Sequence, residues 1–201
     1  MEMAAENFET LARDIRDCRL CSGRFRATAT GHEPRPVFWV EPGARILISG
    51  QAPGARVHAS GQPFTDRSGD RLRDWLGLDE GTFYDRSRVA ILPMGLCFPG
   101  YDNRGSDLPP PKICAQTWRN RVLRHVPDLK MTLLIGAHAM DWHLGRGTSV
   151  RERVANWRAL WPGVVPLPHP SWRNTAWLKR NPWFEAEVVP ALRARVQEIL
   201  K

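Results

Sequence analysis

The chain has 201 residues, 42% of them apolar, and carries a formal net charge of +8. That length and composition suit one packed domain and exclude a disordered or fibrous chain. The longest apolar runs, Val89–Met94 and Leu133–Ile135, are too short to cross a bilayer, and the charge excess points toward an anionic partner.

The N-terminal stretch Met1–Thr10 is acidic and lacks the apolar core of a signal peptide, so the expected setting is the cytoplasm. Phe8, Leu11, Ala12 and Ile15 sit at i, i+3, i+4 and i+7, which predicts an amphipathic helix over 7–17. It leads into Cys18-Arg19-Leu20-Cys21. Arg45–Ser49 reads as a strand that delivers the tight loop Gly50-Gln51-Ala52-Pro53-Gly54. Ser68–Leu78 reads as a helix with Leu72, Trp75 and Leu76 on one side. Val89–Met94 is a second strand, despite Pro93 near its end.

Pro99–Pro111 is loop. Lys112–Val126 reads as a helix facing inward through Ile113, Trp118, Val122, Leu123 and Val126. Met131–Ile135 is a third strand, followed by a helix near Ala137–Leu144 and another over Val150–Trp161. Val164–Leu167 is the fourth strand and ends at Pro168-His169-Pro170-Ser171. Phe184–Leu200 closes the chain as a helix buried through Phe184, Val188, Leu192, Val196 and Ile199, with Pro190 kinking or restarting it. Short apolar strands alternating with helices predict a three-layer α/β/α sandwich around a four-stranded parallel sheet. Ligands of such sheets bind at the carboxyl ends of the strands, here the loops 50–54 and 168–174.

The charge is uneven. Residues 1–100 hold 13 basic and 13 acidic side chains, whereas 101–201 hold 16 and 8. Within Arg146–Arg180 seven residues are basic and only Glu152 is acidic, and the same window holds Trp157, Trp161, Trp172 and Trp177. Cations interleaved with flat aromatics suit nucleic acid. All four cysteines fall in one pattern: the pair Cys18 and Cys21, then Cys97 past the second strand and Cys114 at the next helix. Four thiolates can close a tetrahedral zinc site or a [4Fe–4S] cube, and spacing alone does not choose.

Two motifs and the four cysteines carry a resemblance. Gly50-Gln51-Ala52-Pro53-Gly54, then Gly61-Gln62-Pro63-Phe64-Thr65-Asp66-Arg67-Ser68-Gly69, resembles the first motif of the uracil-DNA glycosylase superfamily. His169-Pro170-Ser171 resembles the second, and Arg180-Asn181-Pro182 agrees in position. The cysteines are similar to those of the iron–sulfur families 4 and 5. The resemblance implies a single glycosylase-like domain over 1–201, acting as a monomer, with a [4Fe–4S] cluster on Cys18, Cys21, Cys97 and Cys114. It implies a repair enzyme that flips uracil or another deaminated base out of single- or double-stranded DNA and hydrolyses its N-glycosidic bond. No lysine lies in either motif to form a Schiff base, so the reaction is expected to be monofunctional.

Asp66 corresponds to the family 5 carboxylate that handles the water, while His169 corresponds to the donor to the leaving base. Phe64 is the expected stacking platform, and Gly50, Gln51, Ala52 and Ser171 are expected to line the base site. Trp172 or Arg173 is the expected wedge, with Asn174 beside it on the DNA. Arg173, Lys179 and Arg180 are expected on phosphates. Several positions depart from the pattern. Ala52 stands where family 1 has an Asp, and Gln51 where family 4 has a Glu. The Phe64–Asp70 run is one residue shorter than its family 5 counterpart. Mattering most, Pro93 stands where many members read the pyrimidine edge with an Asn. That predicts looser or altered base specificity. Two other readings follow from the same residues. One is a DNA-binding protein of this fold that has lost catalysis, suggested by Gln51, Ala52 and Pro93. The other is a zinc-stabilised nucleotide-binding protein, which the basic, Trp-rich 146–180 stretch argues against.

Overall fold

The structure is a computed structural model that describes residues 6–201; residues 1–5 of the acidic N-terminal stretch lie outside it. Helix α1 (Phe8–Arg16) is capped by Asn7, whose Oδ1 accepts from the Glu9 N–H at 2.8 Å, and it buries Leu11, Ala12 and Ile15 as its spacing predicts. After the short α2 (Ser22–Arg26), β1 (Ile46–Ser49) enters the core. Then come α3 (Ala55–Ser60), α4 (Arg67–Leu76), α5 (Glu80–Tyr84) and β2 (Val89–Ile91). The second half runs α6 (Lys112–Leu123), β3 (Met131–Ile135), α7 (Gly136–Leu144), α8 (Val150–Ala155), β4 (Val164–Leu167), α9 (Thr175–Arg180) and α10 (Val189–Leu200).

The four strands form one all-parallel sheet in the order β2-β1-β3-β4, as the alternation of apolar runs and helices predicts. In β1 the side chains alternate between two apolar clusters. Ile46 and Ile48 pack with Leu72, Trp75 and Leu192 on one face, and Leu47 packs with Leu11, Ile15 and Val122 on the other. Helices therefore cover both faces, and every strand is buried almost throughout. The chain moves outward from β1 to β2, then returns to the far side of β1 for β3. This order reverses direction at β1, and the carboxyl ends of β1, β3 and β4 open on one cleft.

Three expectations change and one holds. The second strand ends at Ile91 rather than Met94, because Pro93 offers no N–H to the ladder. Leu92 and Met94 still donate to Ile48 O and Gly50 O, both at 2.9 Å. The helix expected over 150–161 stops at Ala155, where Asn156 leaves helical geometry, and resumes only as a 3₁₀ turn over Trp157–Ala159. Ile113 is 47% exposed instead of facing the core. The C-terminal helix is interrupted as Pro190 requires: Phe184–Val188 forms a π-helical turn, and α10 restarts with Pro190 in its first turn, where a missing N–H costs least.

Candidate functional site

The cleft has a volume of about 450 Å³, within the range of small-molecule sites. Both sequence-marked loops line it. Gly50, Gln51, Ala52, Phe64, Asp66, His169, Ser171, Trp172 and Arg173 all face it, and so does Pro93. A second cavity of about 300 Å³ shares Gln51, Ile135 and His169 with the cleft and reaches Asn174 and Trp177. Added Cβ atoms at Gly50 or Gly54 would meet no protein atom within 4 Å. Those glycines therefore leave room for something other than protein to approach the backbone.

Phe64 is held in an unusual conformation, with φ at +56°, a region that costs a non-glycine residue energy. Three partners fix it there. The Tyr84 hydroxyl shares its proton between Pro63 O at 2.9 Å and Phe64 O at 3.0 Å. The Arg73 guanidinium donates to Phe64 O at 3.3 Å. Gly69 lies so close that a Cβ there would stand 1.8 Å from Phe64 O. The Phe64 ring then meets Phe83 edge-on at 6.1 Å between centroids, half-buried at the cleft wall.

Asp66 is the N-cap of α4: its Oδ1 accepts from the N–H groups of Ser68 at 3.1 Å and Gly69 at 3.2 Å. Among the described residues Oδ2 has no such partner, so one carboxylate oxygen secures the helix while the residue also faces the cleft. A second carboxylate, Asp107, faces the cleft from the loop between β2 and α6, where Tyr101 bridges to it. Neither Asp107 nor Tyr101 was marked by the sequence.

His169 follows β4 between two prolines. The Ser171 N–H donates to its Nδ1 at 3.1 Å, so Nδ1 is the acceptor and the neutral ring carries its proton on Nε2. The ring is open to the cleft but flanked by protein, and that loss of solvation holds its pKa below the ordinary histidine value, against the opposing pull of Asp66 and Asp107. His169 is therefore neutral at pH 7, with a donor available. Asn174 Nδ2 donates to His169 O at 2.8 Å, and Arg71 donates to Ser171 O at 3.1 Å, tying this loop to α4. Trp172 is 66% exposed at the cleft mouth, with the Arg173 guanidinium 5.9 Å from its ring centroid. Lys179 and Arg180 are exposed on α9, whereas Asn181 is buried and donates to Trp177 O at 2.8 Å, a structural role.

Beneath the loops lies Arg119, which is 2% exposed and which the sequence reading overlooked. It donates to Ser49 Oγ and Leu92 O, both at 2.9 Å, and meets His143 Nε2 at 2.7 Å. Burial pulls the guanidinium pKa down to about 10, and burial together with Arg119 pulls His143 down to about 4. Arg119 thus fastens the ends of β1 and β2, from which the cleft loops depart.

A separate cavity gathers Cys18, Cys21, Cys97 and Cys114 with apolar neighbours that include Phe25, Leu96 and Trp118. All four are free thiols. Burial, reinforced by the neighbouring cysteines, pushes Cys97 up to about 12 and Cys114 up to about 11, and the Leu96 N–H donates to Cys114 Sγ at 3.3 Å. Among the described residues no group of three or more His, Cys, Asp or Glu side chains is arranged to hold a single metal ion. Also among the described residues, no helix is long and apolar enough to cross a membrane.

The family model for the uracil DNA glycosylase superfamily matches residues 38–193. The match takes in the whole sheet, both cleft loops and two of the four cysteines, and leaves out Cys18 and Cys21. With more than half of its length matched and the two motifs meeting across one cleft, this chain belongs to the uracil DNA glycosylase superfamily.

Proposed function

We propose that the protein is a monofunctional DNA glycosylase that hydrolyses the N-glycosidic bond of uracil or another deaminated base. The superfamily supports a uracil-DNA-glycosylase-like activity in general terms. The observation that carries the finer reading is the fixed tautomer of His169, a neutral ring whose proton lies on Nε2 in a cleft shared with Asp66.

The chemistry follows from those groups. As the bond between C1′ and the base nitrogen breaks, its electron pair passes to the base and the sugar becomes cationic. His169 Nε2–H donates to the base carbonyl oxygen on which charge gathers, and a neutral donor stabilises that anion without losing its proton. Water then adds to C1′. Asp66 orients it through the carboxylate oxygen that α4 does not use, takes its proton and stabilises the sugar cation. Phe64 stacks on the extruded base, while Trp172 enters the gap it leaves and Arg173, Lys179 and Arg180 face phosphates.

The four thiols fit a [4Fe–4S] cluster. They share one apolar cavity, and Cys114 Sγ accepts from the Leu96 N–H, an environment that suits thiolates on a shared centre. The resemblance of the cysteine spacing to the iron–sulfur families favours the cluster over zinc. When bound, it would join the CxxC turn to the 95–97 and 112–114 segments, a structural role. Brown protein with broad absorbance at about 400 nm, together with iron and sulfide, is expected; stoichiometric zinc instead would refute it.

Asp66 spends an oxygen on a helix cap, and this favours one rival, a DNA-binding protein of the same fold without catalysis. Oligonucleotides bearing uracil, hypoxanthine or xanthine, incubated with the protein and then cleaved by alkali at abasic sites, separate the two. Release of any one base upholds the glycosylase, and DNA binding without release upholds the rival.

A further inference from the structure

The cysteine cavity and the cleft stand back to back. Pro34 and Pro36 line the cavity, and Val37, the next residue, lines the cleft. Gly95, Leu96 and Cys97 line the cavity, while Pro99 and Tyr101 line the cleft. The two segments are joined where the Val37 N–H donates to Leu96 O at 2.7 Å. They form a common wall, and neither can shift without moving both chambers.

Arg35 has a hold on each side. Its backbone runs between Pro34 and Pro36, which line the cysteine cavity, two residues before the Val37 N–H that is bonded to Leu96 O, next to Cys97. Its guanidinium donates to the carbonyl oxygens of His58 and Ala59, which α3 leaves free in its last turn. Helix α3 begins at Ala55, directly after the Gly50–Gly54 loop. Phe98 makes a second tie, its ring 5.0 Å from His32, 5.0 Å from Tyr101 and 5.9 Å from His58. His32 Nε2 lies 2.9 Å from Phe98 O. The wall is thus latched to the helix that carries the substrate-facing loop.

We propose that Arg35 is a positioning residue that couples occupancy of the cysteine cage to the geometry of the Gly50–Gly54 loop. A cluster bound through Cys97 steadies the 95–97 segment and, through the Val37–Leu96 bond and the flanking prolines, the Arg35 backbone. The Arg35 side chain in turn fixes α3. The coupling rests on reading the cage as a cluster site, whereas the link between the side chain and α3 does not.

The test uses Arg35→Ala and Arg35→Lys in the full chain, read by hydrogen exchange over 54–61, iron and sulfide content, thermal midpoint and single-turnover excision. Arg35→Ala leaves the four cysteines and the Val37–Leu96 bond in place, so iron and sulfide stay at the parental level. Exchange over 54–61 speeds up and excision slows, each by roughly three- to tenfold, the scale of one charge-assisted hydrogen bond on an exposed side chain. Arg35→Lys restores most of both, since an ammonium group can reach one of the two carbonyls. Stripping the parent with oxidant and chelator speeds exchange over 54–61 to a similar degree. Parental exchange in Arg35→Ala overturns the proposal. A parent that takes up iron and sulfide but keeps its 54–61 protection when stripped overturns the coupling alone. A parent that takes up neither on reconstitution overturns the cluster reading and the coupling with it.

Discussion

The two chambers that share the 34–37 and 95–101 wall are built in opposite ways. The cysteine cavity is closed by sulfur and carbon, and its cysteines are the only side chains there able to ligate. The cleft distributes Gln51, Asp66, Asp107 and His169 around apolar walls and opens under Trp172 and Arg173. A lining of sulfur and mostly apolar side chains suits a group held by ligation. A lining with separated donors and acceptors recognises a visitor and lets it leave. Substitutions on the two sides should therefore fail in different currencies, stability on one and rate on the other.

The largest effect is expected from Cys97→Ala. Metal binding is coupled to folding, so this variant should bleach and lose roughly 10 °C or more of thermal midpoint. Parental metal content would break the assignment of the cavity. Next is His169→Ala, which should lower single-turnover excision by roughly 10²–10⁴ with DNA affinity and thermal midpoint close to parental. A fall in stability with the rate intact would erase the contrast between the chambers.

Asp66 sharpens it, because one residue serves both structure and cleft. Asp66→Asn keeps an oxygen for the α4 cap and should lose excision by roughly 10²-fold or more at nearly parental stability. Asp66→Ala should lose about 1 kcal/mol of stability as well. If Asp107→Asn abolishes excision and Asp66→Asn does not, the carboxylate belongs to the other wall.

Acid should act through the histidines. His143 and His169 both have pKa values below 6.5 in the folded protein, so on acidification the unfolded chain takes up protons there first. Their contribution to stability is full above pH 6.5 and falls with pH, down to about 4 for His143. Chemical denaturation across that range checks it, and His143→Gln should flatten the slope. The smallest effect is expected from Tyr84→Phe, which removes the shared proton to Pro63 and Phe64 and should slow excision several-fold, about 1 kcal/mol. No change would mean that Arg73 and Gly69 hold Phe64 unaided.

The strands over 131–135 and 164–167 were legible because parallel strands buried on both faces appear as unbroken apolar runs. The two cleft loops were legible through their glycines and prolines. Asp107 and Tyr101 were not, since they lie in the 99–111 stretch, which has no periodicity to assign a face. Arg119 escaped for a different reason: a cation on a helix reads as solvent-facing, and only the convergence of Ser49, Leu92 and His143 gives it buried partners. Ile113 misled in the opposite sense, as an apolar residue on the rim of the cysteine cavity. The cysteine spacing named the four thiols, but that they meet depends on how the 95–97 segment folds back against 34–37, which no local pattern records.

The approach of Gly69 to Phe64 makes chain length between them part of the site. Because a Cβ at position 69 would stand 1.8 Å from Phe64 O, no L-residue with a side chain fits there while Phe64 keeps its φ of +56°. The four residues between them, Thr65 to Ser68, span the turn into α4 and include its cap, Asp66. An insertion or deletion there would slide the glycine out of the gap and turn the aromatic ring away from the cleft. In a saturation library of this segment, functional survivors should keep position 69 as glycine and the spacing at five, while exposed Thr65 and Arg67 vary widely.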